Sequence, residues 1–191
     1  MTYEEIFSNI SAHIIKGIMF HAQMADYFDF LGLKGYKRLH EYHYFDESIM
    51  FRKLSRYYIN SCSRLIDEQA TENPHSIPDS WHRYNREDVD VSTKRSAIKS
   101  AFQSWVDWEN GTLKMYEKAY AELIEIGEIA LAMFIKAYMC DVEKELKCAR
   151  RMNIDLKSID YDMSVIVPEQ EKLHEKYKKE TENLCFDFSQ Y

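Results

Sequence analysis

FHAQMADYFDFLGLKGYKRLHEYHYFDESIMFRKLSRYYIN, from Phe20 to Asn60, decides the fold. It reads as the end of one helix, a tight turn LGLKG (Leu31 to Gly35) and most of a second helix. Gly32 and Gly35 can both take the positive φ that a sharp reversal demands. So short a loop forces two long helices to pack antiparallel. Steps of three and four along the first helix give an inward stripe of Ile6, Ile10, Ile14, Gly17, His21, Met24, Phe28 and Leu31. On the second helix the same stepping gives Tyr36, His40, His43, Glu47, Met50, Leu54 and Tyr57. Two otherwise apolar stripes therefore carry ionisable groups at mid-height.

Working outward, the first helix spans about Tyr3 to Phe30, with Thr2 and Glu5 placed to form a capping box. Gly17 in its middle costs about 1 kcal/mol against alanine, which points to close approach of a neighbour. The second helix spans about Gly35 to Leu65. From Ile66 to Val91 the periodicity breaks around Pro74 and Pro78, and a polar crossover ends near Ser92 as the next cap. A loop of that length predicts a helical turn near Asp79 to Tyr84, with Trp81 and Tyr84 as anchors. A third helix follows from Thr93 to Ile126, Gly127 breaks it, and a fourth runs from Glu128 to about Met152. After a linker, Pro168 opens a short polar helix with few apolar anchors, Leu173, Tyr177 and Leu184. The expected organisation is one helical-bundle domain over residues 1–191: a hairpin at 1–65, a crossover at 66–92, a second hairpin at 93–152, then a linker and final helix at 153–191.

Composition agrees with an all-α chain. Among 191 residues there are only five glycines and three prolines, and 46% are hydrophobic, enough for a core. The net charge of −7 sets the surface against direct nucleic-acid binding. Cys62, Cys140, Cys148 and Cys185 form no CxxC pair and read as free thiols in a reducing compartment. No basic start followed by an apolar run marks a signal peptide, and no window of 18 apolar residues marks a membrane span, so a cytoplasmic protein is expected. The HEYH run at His40 to His43 is not the zincin pattern, because its histidines stand three apart rather than four.

Antiparallel geometry brings the polar positions together. In the first hairpin His21 falls level with Glu47 or its neighbour, and in the second Glu109 falls level with Glu145. If the crossover returns to the Leu31–Gly35 end, the two pairs differ by only about 6 Å in height. His21, Glu47, Glu109 and Glu145, with His43 one turn away, are the candidate metal-ligating set. The bland alternative is a hydrogen-bonded polar network, since buried ionisable groups must pair, hydrate or bind a cation.

The segments MADYFDFLGLKGYKRL, DESIMFRKLSRYYI, WENGTLKMYEKAYAE and FIKAYMCDVEKELKCARR resemble the four core helices of the ferritin-like superfamily, over roughly residues 10–152. The resemblance implies a four-helix bundle with a long crossover after the second helix and an added C-terminal helix. Carried over by position, Glu47 and Glu109 match the family's ligands. Ile14 stands where the first-helix glutamate would be, Met50 where the second-helix histidine would be, and Val142-Glu143-Lys144-Glu145 lacks the Glu-x-x-His pattern. The chain also resembles uncharacterised proteins of phage and gut-bacterial origin.

Two functional expectations follow. The first is a non-catalytic interaction or structural protein on a degenerate ferritin-like bundle, phage-encoded, without cofactor. It would bind a protein through its aromatic second helix, where the run Tyr42 to Phe45 faces all sides, or through its acidic surface. Neither nucleic acid nor membrane is expected as a partner, and self-association suits the same aromatic face. The alternative is an iron- or manganese-binding protein with a non-standard carboxylate and histidine site.

Overall fold

A computed structural model describes residues 2–62, 87 and 89–188. The helical turn expected near Asp79 to Tyr84, with its Trp81 and Tyr84 anchors, lies outside these residues. The described residues form five helices: α1 (Tyr3–Phe30), α2 (Lys34–Cys62), α3 (Val91–Glu125), α4 (Ile129–Ser158) and α5 (Met163–Phe188).

α1 begins with the capping box: the Thr2 hydroxyl accepts from Glu5 N at 3.2 Å, and the Glu5 carboxylate accepts from Thr2 N at 2.8 Å. It ends where Gly32 takes φ +74° and Leu33 N donates to Phe28 O at 2.8 Å. Only one of the two turn glycines thus supplies the left-handed residue. Gly35 is helical, and its missing side chain serves another contact: a Cβ there would lie 2.6 Å from Gln170 O and 2.8 Å from Leu173 Cβ of α5. Gly127 does for α3 and α4 what Gly32 does for the first hairpin, with φ +82° and Glu128 N donating to Leu123 O at 2.9 Å.

Three expected boundaries move. Asp90, not Ser92, caps α3: its carboxylate accepts from Thr93 N at 2.7 Å and from the Ser92 hydroxyl at 2.9 Å. α4 continues past Met152 to Ser158, because Leu156 still finds the core. Pro168 lies inside α5 rather than opening it. As the sixth residue of the helix it removes the N–H that would bond Ser164 O, a cost set against the burial of Ile166 and Gln170 on either side of it.

α1 packs on α2 and α3 on α4, and the two hairpins join chiefly through α1 and α3. α5 lies along α2. It supplies the cover for the second apolar side of α2, where Tyr42 meets Tyr177 with ring centroids 5.9 Å apart. The core divides into two apolar clusters. One is built around Phe28, Phe102, Trp105 and Leu156, the other around Ile14, Leu54, Tyr116 and Ile135. On α2, α3 and α4 the change from one cluster to the other falls at an ionisable residue, and on α1 it falls just before His21.

Candidate metal centre

Between the two apolar clusters, α1 contributes His21, α2 contributes His40, His43 and Glu47, α3 contributes Glu109, and α4 contributes Glu145. His21, His40 and Glu109 are fully buried, and His43 and Glu47 nearly so. The side chains meet in linked pairs. His21 Nδ1 lies 2.9 Å from His40 Nδ1, so one imidazole donates and the other accepts. His21 Nε2 lies 3.5 Å from Glu109 Oε1. His43 Nδ1 lies 3.7 Å from Glu145 Oε2, at the rim of the cluster. The rings of His40 and His43 stand 5.2 and 5.0 Å from that of His21.

Two neighbours shape this chamber. Trp105, one helical turn before Glu109, donates its indole N–H to Glu109 Oε1 at 2.9 Å, which leaves Oε2 to point elsewhere. Gly17 makes room for Glu47, since a Cβ at Gly17 would come within 2.8 Å of Glu47 Oε1. The close approach that a mid-helix glycine implied is therefore to a carboxylate.

Burial sets the charge states. It holds the His21 imidazole well below its ordinary value, reinforced by His43, and holds His40 down likewise. Burial pushes Glu47 well above the usual carboxylate range, helped by Glu145, Glu109 and Asp46. Burial also raises Glu109 to about 7, against the pull of His43 and the Trp105 hydrogen bond. His43 is the exception. Burial opposes its charge, yet the facing Glu145, with Glu109 and Asp46, raises it above the ordinary histidine value. At the rim, burial raises Asp46 to about 6, with Glu145 adding to the shift.

Five buried atoms of this cluster have no hydrogen-bond partner within the protein: His21 Nε2, His40 Nε2, His43 Nδ1, Glu47 Oε2 and Glu109 Oε2. Each such group costs about 1–3 kcal/mol when left unsatisfied. Direct pairing within the protein is thus incomplete, and water or an ion has to complete it. Equally, among the described residues no three His, Cys, Asp or Glu side chains already surround one point as a metal requires.

The structure thus brings His21 to Glu109 and His43 to Glu145, and seats Glu47 against Gly17 instead of beside His21. Sequence reasoning left His40 out of the candidate set. Its signal was present in the inward stripe and in the spacing of HEYH, which puts His40 and His43 one turn apart on a single face.

No protein-family model matches the chain, and no curated protein does. Solved structures do. The open-pore ferritin of the hyperthermophilic archaeon Archaeoglobus fulgidus superposes with a TM-score of 0.75 at 19% identity, over 91% of this chain and 96% of that one. A closed form of that ferritin, engineered by site-directed mutagenesis, gives 0.74 at 18%, over 91% and 96%. A humanized archaeal ferritin gives 0.75 at 19%, over 90% and 94%. The fold is the ferritin-like helical bundle, with α5 as its C-terminal addition. Among the described residues no helix is long and apolar enough to cross a membrane.

Proposed function

We propose that this chain is a metal-binding protein of ferritin-like fold, with a non-standard ligand set drawn from His21, His40, Glu47 and Glu109, and with His43 and Glu145 at the rim. The observation that carries this reading is the group of five buried nitrogen and oxygen atoms, lying between the two apolar clusters, that have no hydrogen-bond partner within the protein. A cation satisfies imidazole nitrogens and carboxylate oxygens together, and binds them more strongly than a water would. The donor set fits a first-row transition ion, and the count of imidazoles widens the choice from iron or manganese to cobalt and zinc. Such an ion would supply Lewis acidity and, if it is iron or manganese, a one-electron couple.

The chain's own residues prepare the chamber for this. His21 and His40 are held neutral, the form that binds metal. Trp105 fixes the orientation of Glu109. Glu47 and Glu109, raised by burial, take up protons without an ion and release them to one.

The rival reading, a non-catalytic interaction protein of phage origin, has no comparable observation behind it. Its motives are the missing family ligand positions, the aromatic second helix and the acidic surface; of the aromatic run, Tyr42 is covered by Tyr177 while Phe45 stays exposed. Elemental analysis and anaerobic cobalt(II) titration separate the two. We expect d–d absorption with stoichiometric cobalt, lost in Glu109→Ala while helicity is retained. Fe(II) added under air then reports whether the centre is redox-active. Purified protein that binds no cobalt, or Glu109→Ala binding it as well as the parent, would overturn the metal reading.

A further inference from the structure

We propose that α5 is a detachable strap over the α2–α4 seam, and that its release opens the route by which an ion reaches His43 and Glu145; this rests on the metal reading above.

The seam is closed by one residue of α5. Tyr177 packs on Tyr42 of α2, with centroids 5.9 Å apart, and Tyr42 stands edge-on to His43 at 5.3 Å. Cys148 of α4, one helical turn beyond Glu145, packs against the same apolar cluster as Tyr177. Tyr177 therefore covers Tyr42, the neighbour of His43, on the α2 wall and shares an apolar cluster with Cys148 on the α4 wall.

α5 is held by apolar and polar contacts together. Its buried face runs Ile166, Gln170, Leu173, Tyr177 and Thr181, so that two of these five positions are not apolar. Gln170, only 4% exposed, accepts from both Gly35 N at 3.0 Å and Tyr36 N at 3.2 Å. It thereby bonds the free N–H groups that any helix start presents. Lys34 and Glu171 add an exposed ion pair beside it. The fit is close enough that the backbone of α5 excludes any side chain at Gly35. Breaking the Gln170 latch releases the start of α2 from α5, and that is the local opening through which the helix would lift. On the outer side Val165 and Val167 already face solvent.

Cys148 provides a readout that needs no metal. Burial under α5 raises its thiol above the ordinary cysteine value, so it reacts slowly while the strap is docked. The experiment uses full-length protein with the other three cysteines replaced by serine, and compares it with Gln170→Ala and Gly35→Ala in the same background. Dithiobis(nitrobenzoate) reports Cys148 exposure, and stopped-flow cobalt(II) absorption reports ion entry. Losing the two Gln170 hydrogen bonds should raise both rates on the order of tenfold. The amount of cobalt bound at saturation should stay unchanged, since no proposed ligand lies on α5. Gly35→Ala, which displaces α5 by its Cβ while keeping the Gln170 side chain, should act in the same direction and guards against a folding defect in the first variant. Unchanged Cys148 reactivity in both variants would overturn the latch. Faster Cys148 reaction with an unchanged cobalt rate would overturn the gating role and leave the metal site standing. Absence of cobalt binding in the parent would refute the site itself, and the strap's gating role with it.

Discussion

Replacing Glu109 with glutamine should make the metal-free protein more stable at alkaline pH while removing its capacity to hold an ion. The side chain is fully buried, and burial raises its pKa from 4.5 to about 7. A folded pKa above the unfolded one means that the folded state binds the proton more tightly. The stabilisation is complete below pH 4.5 and is lost as pH rises through 7. At 1.36 kcal/mol per pH unit, that gap is worth about 3 kcal/mol. Glutamine retains an acceptor for the Trp105 N–H and has no ionisation to suppress. Urea unfolding of both proteins in chelator, at pH 4.5 and pH 8, measures the effect. Glu109→Gln should gain about 3 kcal/mol on the parent between those two conditions, with unchanged m-values. The reasoning is refuted if the difference between the proteins does not vary with pH, or if the variant becomes relatively less stable as pH rises. A site whose neutral isostere stabilises the fold carries a charge for a purpose other than folding.

Three further outcomes are expected. His13, stacked on Trp108 and bonded to the Thr112 hydroxyl at 2.9 Å, is held down to about 4 by burial and by Lys16. Its contribution is therefore full above pH 6.5 and fades as pH falls towards 4, by at most about 3 kcal/mol, and His13→Gln should flatten that part of an acid-unfolding profile. Gly17→Ala should leave stability within about 1 kcal/mol, helix propensity offsetting the displacement of the flexible Glu47 end. The same variant should weaken cobalt affinity by roughly tenfold in a competition titration, the loss expected when a ligand's support is disturbed. Trp105→Phe, which removes the N–H that holds Glu109, should cost about 2–4 kcal/mol in denaturant unfolding and drive the carboxyl pKa higher still, seen as lower cobalt affinity at pH 6.5.

The parts of the molecule legible in the sequence were those governed by local rules. The capping box at Thr2 and Glu5, the ends of α1 and the reversal at Gly127 follow from side-chain chemistry within a few residues. Errors arose where a distant segment decides the outcome. Gly35 read as a second turn glycine, but its lack of a side chain answers to Gln170, 135 positions away. Pro168 read as a helix start because nothing nearby shows that Met163 and Ile166 already belong to a packed face. In the candidate centre, the stripes identified which residues point inward. They did not fix the level at which α1 meets α2, so Glu47 was matched with His21 when it stands against Gly17, and His40 takes the place beside His21.

The division of the polar cluster between the hairpins has a consequence for how the chain reaches its native state. All three imidazoles belong to α1 and α2, whereas Trp105, Glu109 and Glu145 belong to α3 and α4. Each hairpin closes through a short glycine turn and draws on contacts local in sequence, the kind that form fast. The desolvation of histidines and carboxylates falls instead on the joining of the two hairpins, the step that also closes the long connection between α2 and α3. An ion that bridges imidazoles from one side and carboxylates from the other would act on that step alone. It would hold the two halves together much as a clasp does, leaving the rate at which either half forms untouched.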